Sequence, residues 1–234
     1  METIIRPIAH IKSDFTDKFG IPRQSGLVPE LTARIMFEPE YRDPNALVGL
    51  EGYSHLWLIW QFSTVAAEYA AGKSWRPTVR PPRLGGNARR GVFATRSPYR
   101  PNALGLSCVE LSGIENGDIL VKGADLLDGT PIFDIKPYLP YVDAHPEARG
   151  GFTEQTAAYA LEVQCPQRLL DKLPENKRAA LLGVLKNDPR PAYQRDETRR
   201  YGVDFAGFDV RFHVKGQVLT VCELEERASG MIFR

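Results

Sequence analysis

The sequence predicts a mainly β protein, a small antiparallel β-barrel followed by a small α+β C-terminal domain. Three observations carry that expectation. Short β-rich runs recur at regular intervals, each closed by Gly, Pro, Asn or Asp. Two of the closures, Glu115-Asn116-Gly117-Asp118 and Asp128-Gly129-Thr130-Pro131, have tight-turn chemistry. No long amphipathic crossover helices alternate with the strands, which argues against a doubly wound parallel sheet.

In chain order, strands are expected near residues 4–12, 33–37, 55–63, 91–95, 105–114, 119–125 and 130–138. These runs hold the β-branched and aromatic residues that suit a pleated, half-buried surface. One helical turn fits 43–48, and Val-Ala-Ala-Glu-Tyr-Ala-Ala at 65–71 makes a short helix. Residues 143–156 are richer in small and polar types and read as a linker, so the domains are set at 1–143 and 144–234. Beyond the linker come a strand at 159–164, a helix at 175–186, and a hairpin of 208–215 with 217–225 about Gly216. The helix must stop by Asp188, because Pro189 disfavours helical geometry in the residue before it.

Composition narrows the class. Hydrophobic residues make up 43% of the 234 and charged residues 25%, the balance of a folded globular chain. The longest apolar run, 55–62, is too short to cross a bilayer, and the Met-Glu-Thr-Ile-Ile-Arg start has no secretory signal pattern. Cys108, Cys165 and Cys222 are widely spaced and form no Cys-x-x-Cys pair. They read as buried, reduced thiols in a cytoplasmic protein without a metal site. Gly-x-Gly, Gly-x-x-x-x-Gly-Lys-Ser/Thr, Gly-x-Ser-x-Gly and His-Glu-x-x-His are all absent. The usual nucleotide-fold and hydrolase readings lose their support.

The net charge of +1 conceals a strong asymmetry. Between Tyr69 and Val109 there is no acidic residue, while Lys73, Arg76, Arg80, Arg83, Arg89, Arg90, Arg96 and Arg100 give +8, leaving −7 for the rest. A guanidinium fork suits phosphate and carboxylate. Such a stretch is either an electropositive surface for a polyanion or a solvated face paired with acids elsewhere.

The same stretch carries unusual motifs. Trp75-Arg76-Pro77-Thr78-Val79-Arg80-Pro81-Pro82-Arg83-Leu84-Gly85-Gly86-Asn87-Ala88-Arg89 leads into Gly91-Val92-Phe93-Ala94-Thr95-Arg96-Ser97 and Arg100-Pro101-Asn102-Ala103-Leu104-Gly105. Asp125-Leu126-Leu127-Asp128 follows, then Asp134-Ile135-Lys136-Pro137-Tyr138. Together with Pro22-Arg23-Gln24, Ser54-His55-Leu56-Trp57 and Asp188-Pro189-Arg190-Pro191-Ala192-Tyr193, these blocks resemble the TrmO (TsaA-like) family. The resemblance implies an S-adenosylmethionine-dependent methyltransferase acting on N6-threonylcarbamoyladenosine at position 37 of transfer RNA. It also implies a dimer of β-barrels with the cofactor near the subunit interface.

Carried over residue by residue, the resemblance places cofactor contacts on Arg23, Gln24, Ser25 and Gly26, on Ser63 and Thr64, on Arg96 and Leu106, and on Asp125, Leu126, Leu127 and Asp128. An acidic turn can hold an amino group or ribose hydroxyls, and Arg96 a carboxylate. The Asp pair is equally good as an ordinary turn. Arg76, Arg80, Arg83 and Arg89 are candidates for substrate anions, and Arg190 with Tyr193 for a splayed anticodon-loop base, unless that loop merely braces the C-terminal helix. Asp134, Lys136 and Tyr138 alternate along one strand and share a face, which is the search area for a base or, equally, a polar outer face. His55 reads as a core or interface histidine. Two other functions fit the residues alone: a non-catalytic RNA-binding barrel, which would not bind the cofactor, and a methyltransferase of an anionic small molecule.

Overall fold

The computed structural model describes residues 3–81, 88–156, 158–190 and 196–227. The chain runs through β1 (Ala9–Lys12), β2 (Thr32–Phe37), β3 (His55–Gln61), α1 (Ser63–Ala70), β4 (Thr78–Val79), β5 (Arg90–Gly91) and β6 (Leu104–Glu115). It continues through β7 (Asp118–Lys122), β8 (Pro131–Pro137), α2 (Pro140–Asp143), β9 (Glu162–Gln164), α3 (Gln167–Leu170) and α4 (Glu175–Lys186). Three strands end it: β10 (Tyr201–Phe205), β11 (Phe208–Lys215) and β12 (Val218–Glu226).

Six strands pair in the order β1-β2-β7-β6-β3-β8, each antiparallel to its neighbours, and β8 returns to β1 through Ala9 opposite Ile132. The two-residue side-chain period explains the closure. Along β3, Leu56, Leu58 and Trp60 are buried while His55, Trp57, Ile59 and Gln61 alternate with them at intermediate exposure. Ile11, Ile35, Val109, Ile119, Val121, Leu126 and Ile132 complete the interior. A closed ring has few free edges, but stretches remain on β8 beyond Ile132, where it pairs with β3 alone, and on β6. From Leu104 to Val109, β6 pairs with β3 alone, because its ladder with β7 begins only at Glu110 opposite Lys122.

A second core lies under the sheet β10-β11-β12-β9, with β9 parallel to β12. Leu181, Val184 and Leu185 of α4 pack there with Val203, Phe205, Val210 and Phe212. Phe15, Val28 and Leu31 belong to this core too, although they come from the N-terminal part. Residues 13–31 therefore form a strap from the ring to the second sheet. Its seat on β10 is tight: Gly20, at φ +90°, leaves no room for a Cβ, which would stand 2.1 Å from a Val203 methyl. Asp14 fastens it to α4, accepting from Lys177 Nζ at 2.6 Å with both groups largely buried.

Several expectations change. Residues 4–7 precede β1 outside the ring, and Ile8 bonds its backbone to Ile132 and Glu38 just ahead of the strand. The strand expected at 91–95 is instead β5 followed by a tight helical turn, Val92–Ala94. That segment finds only the two-residue β4 as a partner, so its backbone closes locally: the Thr95 N–H donates to the Val92 carbonyl. The strand at 159–164 shortens to β9, and β10 and α3 go unanticipated. The three thiols are free, but none is buried; Cys222 is exposed because its neighbour Val221 takes the inward position on β12. Among the described residues no helix is long and apolar enough to cross a membrane, and no cluster of three or more metal-capable side chains occurs.

Candidate functional site

The unpaired edge of β6 is where distant segments meet. Ser25 Oγ accepts from the Cys108 N–H at 3.1 Å, standing in for the missing strand, and the Gly26 N–H donates to the Gly123 carbonyl at 2.9 Å. The loop of Arg23-Gln24-Ser25-Gly26 is thereby laid along β6 and against the end of β7. Arg96 donates to Gln24 Oε1, and the Gln24 amide donates to the Arg23 carbonyl. Asp125 Oδ1 accepts from Ser107 Oγ at 2.6 Å, and Ser107 accepts from Trp60 Nε1 at 2.9 Å. Burial pushes the Asp125 carboxyl above its ordinary value, while the Ser107 bond, backbone donors including Ser25, and the Arg96 charge pull it back. Beside them Leu106 presents an apolar side chain that is 56% exposed. One acid, one cation and polar backbone thus meet at this edge, with Leu106 on the outward face of the same strand.

Gly105 makes this arrangement possible. The Trp60 ring lies so close that a Cβ on Gly105 would fall 2.3 Å from it. Ser107, Trp60 and Gly105 were not singled out from sequence. The available signal was Ser107 itself, a hydroxyl at an inward position of β6 between Gly105 and Val109.

Other expected residues are placed differently. Leu126 is fully buried in the ring interior and Leu127 leans on the second core, so neither side chain faces the seam. Asp128 accepts from Lys12 Nζ and from the Ser13 N–H, both at 2.9 Å, and so anchors the strap. Ser63 and Thr64 do not end a strand; they open α1, beyond Phe62, whose N–H donates to the Ala103 carbonyl. Arg23 donates to the Arg190 carbonyl at 3.4 Å. The Arg190 guanidinium is held on both oxygens of Asp188 at 2.8 and 2.9 Å. Tyr159 donates to Asp188 at 2.7 Å. Burial works against ionisation of Asp188, but these bonds outweigh it and hold the carboxyl below its ordinary value.

Arg76, Arg80 and Arg89 are exposed. Arg83 and Tyr193 lie outside the described residues. On β8, Asp134 pairs with Lys136 at 2.8 Å, and Tyr138 tilts against the rings of Trp57 and His55 at 5.8 and 6.1 Å. Register puts Leu106, Ile59 and Asp134 in one row across β6, β3 and β8, all outward-facing. Asp134 therefore stands two strand spacings, about 10 Å, from Leu106. An open depression lined by Glu30, Leu161, Ala179 and Lys186 lies between α4 and β9, away from this cluster.

The family model for the tRNA-methyltransferase O N-terminal domain matches residues 10–144, and that for the TrmO C-terminal domain matches 153–227. The chain belongs to the TrmO family. It is similar to the tRNA (adenine(37)-N6)-methyltransferase of Escherichia coli (strain K12), at 40% identity over 94% of this chain and 97% of that protein. A Pseudomonas aeruginosa protein, named as a candidate S-adenosylmethionine-dependent methyltransferase, is 43% identical over 89% of this chain and 91% of its own length. The crystal structure of TrmO from P. aeruginosa covers 97% of this chain and 98% of that chain, with a TM-score of 0.79 at 35% identity. In this TrmO chain the strap falls within the N-terminal match yet packs into the core formed mostly by the C-terminal one.

Proposed function

We propose that this TrmO protein is an S-adenosylmethionine-dependent methyltransferase that modifies N6 of adenine 37 of transfer RNA, with the threonylcarbamoylated adenine as its substrate. Membership of the family and the names of full-length relatives support the activity. The observation that carries the site is the meeting of Gln24, Arg96 and Asp125 on the unpaired edge of β6.

The residues present fit the cofactor. Leu106 offers an apolar face for an adenine, Asp125 an acceptor for ammonium or ribose hydroxyls, and Arg96 a partner for a carboxylate. Bound there, the cofactor supplies an electrophilic methyl group. The chain's own task is then chiefly positioning, since the nucleophile must lie in line with the sulfur–methyl bond. A ureido-like N6 attacks well only as its proton leaves, and Asp134, on the same outer face, is our candidate to receive it. Lys136 pairs with Asp134 at 2.8 Å on that face.

We further assign residues 1–143, with the closed strand ring as a β-barrel, to cofactor binding and chemistry, and residues 144–234 to transfer RNA binding at the anticodon loop. We take the protein as a cytoplasmic homodimer, whose partner covers part of the outer face around Leu106. The test is mass spectrometry of transfer RNA nucleosides after incubation with labelled cofactor. Label is expected on the threonylcarbamoylated adenosine, and Arg96→Ala should cut it about tenfold or more. Label on a small metabolite instead, or full activity in the variant, rejects the assignment.

A further inference from the structure

The acid-free segment holds more than charge. Its tight turn Val92–Ala94 buries Val92 and thrusts Phe93 outward, where the residue is 71% exposed. The turn is braced from several sides. The Val92 N–H donates to the Pro77 carbonyl at 2.9 Å, and Arg100 Nη1 donates to the Thr95 and Val92 carbonyls at 2.7 and 3.2 Å. Phe93 is thus displayed on a rigid mount. The Arg100 guanidinium sits 5.6 Å from its ring centroid. Trp75, itself 43% exposed, lies 6.2 Å away with its plane inclined by 30°.

Two neighbouring aromatic rings turned to solvent, with a guanidinium over one of them, form a stepped shelf inside a stretch of +8. Exposed Arg76 and Arg89 belong to the same stretch. Apolar rings with a cation over one of them suit one occupant better than others. An acyl chain would gain nothing from the guanidinia, and an acidic peptide has no planar face to set on the rings. Unpaired nucleobases have a π-face for the rings and phosphates for the arginines.

Resting on the methyltransferase reading above, we propose that Phe93 and Trp75 form a stacking shelf for unpaired bases of the substrate RNA. Phe93 is three residues from Arg96, whose side chain reaches Gln24 at the seam. A base stacked here lies on the segment that also carries Arg96, so the shelf sets the approach of the RNA to the site.

The experiment measures binding of a fluorescent anticodon stem–loop RNA to the full-length protein over a salt series, beside cofactor affinity by calorimetry and mass in solution. Phe93→Ala should weaken RNA binding about tenfold, while Phe93→Tyr retains it. The salt dependence of Phe93→Ala should stay that of the wild type, because stacking releases no counterions, whereas Arg89→Ala should lower the slope by about one. Cofactor affinity and oligomeric mass should be unchanged in Phe93→Ala. Loss of cofactor affinity or of the dimer in that variant, or unaltered RNA binding, overturns the shelf while leaving the methyltransferase reading intact. A wild-type protein that fails to bind the stem–loop overturns both.

Discussion

At the scale of single residues, Asp125 carries the sharpest expectation. Its carboxyl sits above the ordinary 3.8 because burial outweighs the bond from Ser107 and the charge of Arg96. For a carboxyl raised in the folded state, the sign runs against stability as pH rises: folding loses free energy between the ordinary value and the raised one. Binding a cationic group needs the carboxylate, so cofactor affinity should fall on acidification at a pH above the usual aspartate range. Ser107→Ala removes a donor that favours the charged form and should move that fall to higher pH. Calorimetric titration of the cofactor across pH checks this; an unshifted profile in Ser107→Ala would mean that another group titrates. Legibility was uneven here. Gln24, Arg96 and Asp125 stood inside quotable motifs and Ser25 only beside one, whereas Asp128 and Arg190 had the same motif status but are bound to Lys12 and Asp188. Motif membership does not say which way a side chain is engaged.

Elements were legible where local pattern and burial agreed. The spacing placed α4 at 175–186 and β11 at 208–215, and both are observed with those bounds. In each, the apolar period matches the face that is buried. The segment 91–95 looked equally strand-like, yet a strand needs a partner, and β4 offers only two residues. Conversely, Tyr201, Val203 and Phe205 alternate correctly in β10, but Gly202 and Asp204 between them weaken the propensity, and pairing with β11 supplies the order. The junction of β3 with β6 yields a prediction at this scale. Gly105→Ala forces a methyl group into the Trp60 ring, and overpacking of this kind costs about 1–3 kcal/mol. The melting temperature should drop by roughly 5 °C, as followed by circular dichroism. An unchanged melt would show that the ring can shift Trp60 at little cost.

Over the whole molecule, the strap of residues 13–31 is the feature that joins the two cores. Its apolar anchors Phe15, Val28 and Leu31 are buried in the second core, and its middle carries Arg23-Gln24-Ser25-Gly26 to the seam. The Tyr159–Asp188–Arg190 cluster adds a second tie, through the Arg190 carbonyl to Arg23. A fragment ending at residue 143 keeps the ring strands but strips those anchors of their packing. It should bind the cofactor more weakly than the full chain in the same calorimetric assay. Equal affinity would show that the ring alone holds the loop.

Sequence by itself determined the mainly β character, the terminal hairpin, the concentration of arginine in one acid-free stretch and the family. All of these follow from residue types and short-range spacing, which the chain carries wherever it folds. Only the tertiary structure decided that a loop near residue 24 repairs the open edge of β6, that Asp125 is partly desolvated there, and that the N-terminal strap belongs to the second core. Those facts depend on contacts between residues up to about 190 positions apart, such as Phe15 with Phe205. Such contacts are selected by the burial of whole surfaces, and no local pattern encodes that choice.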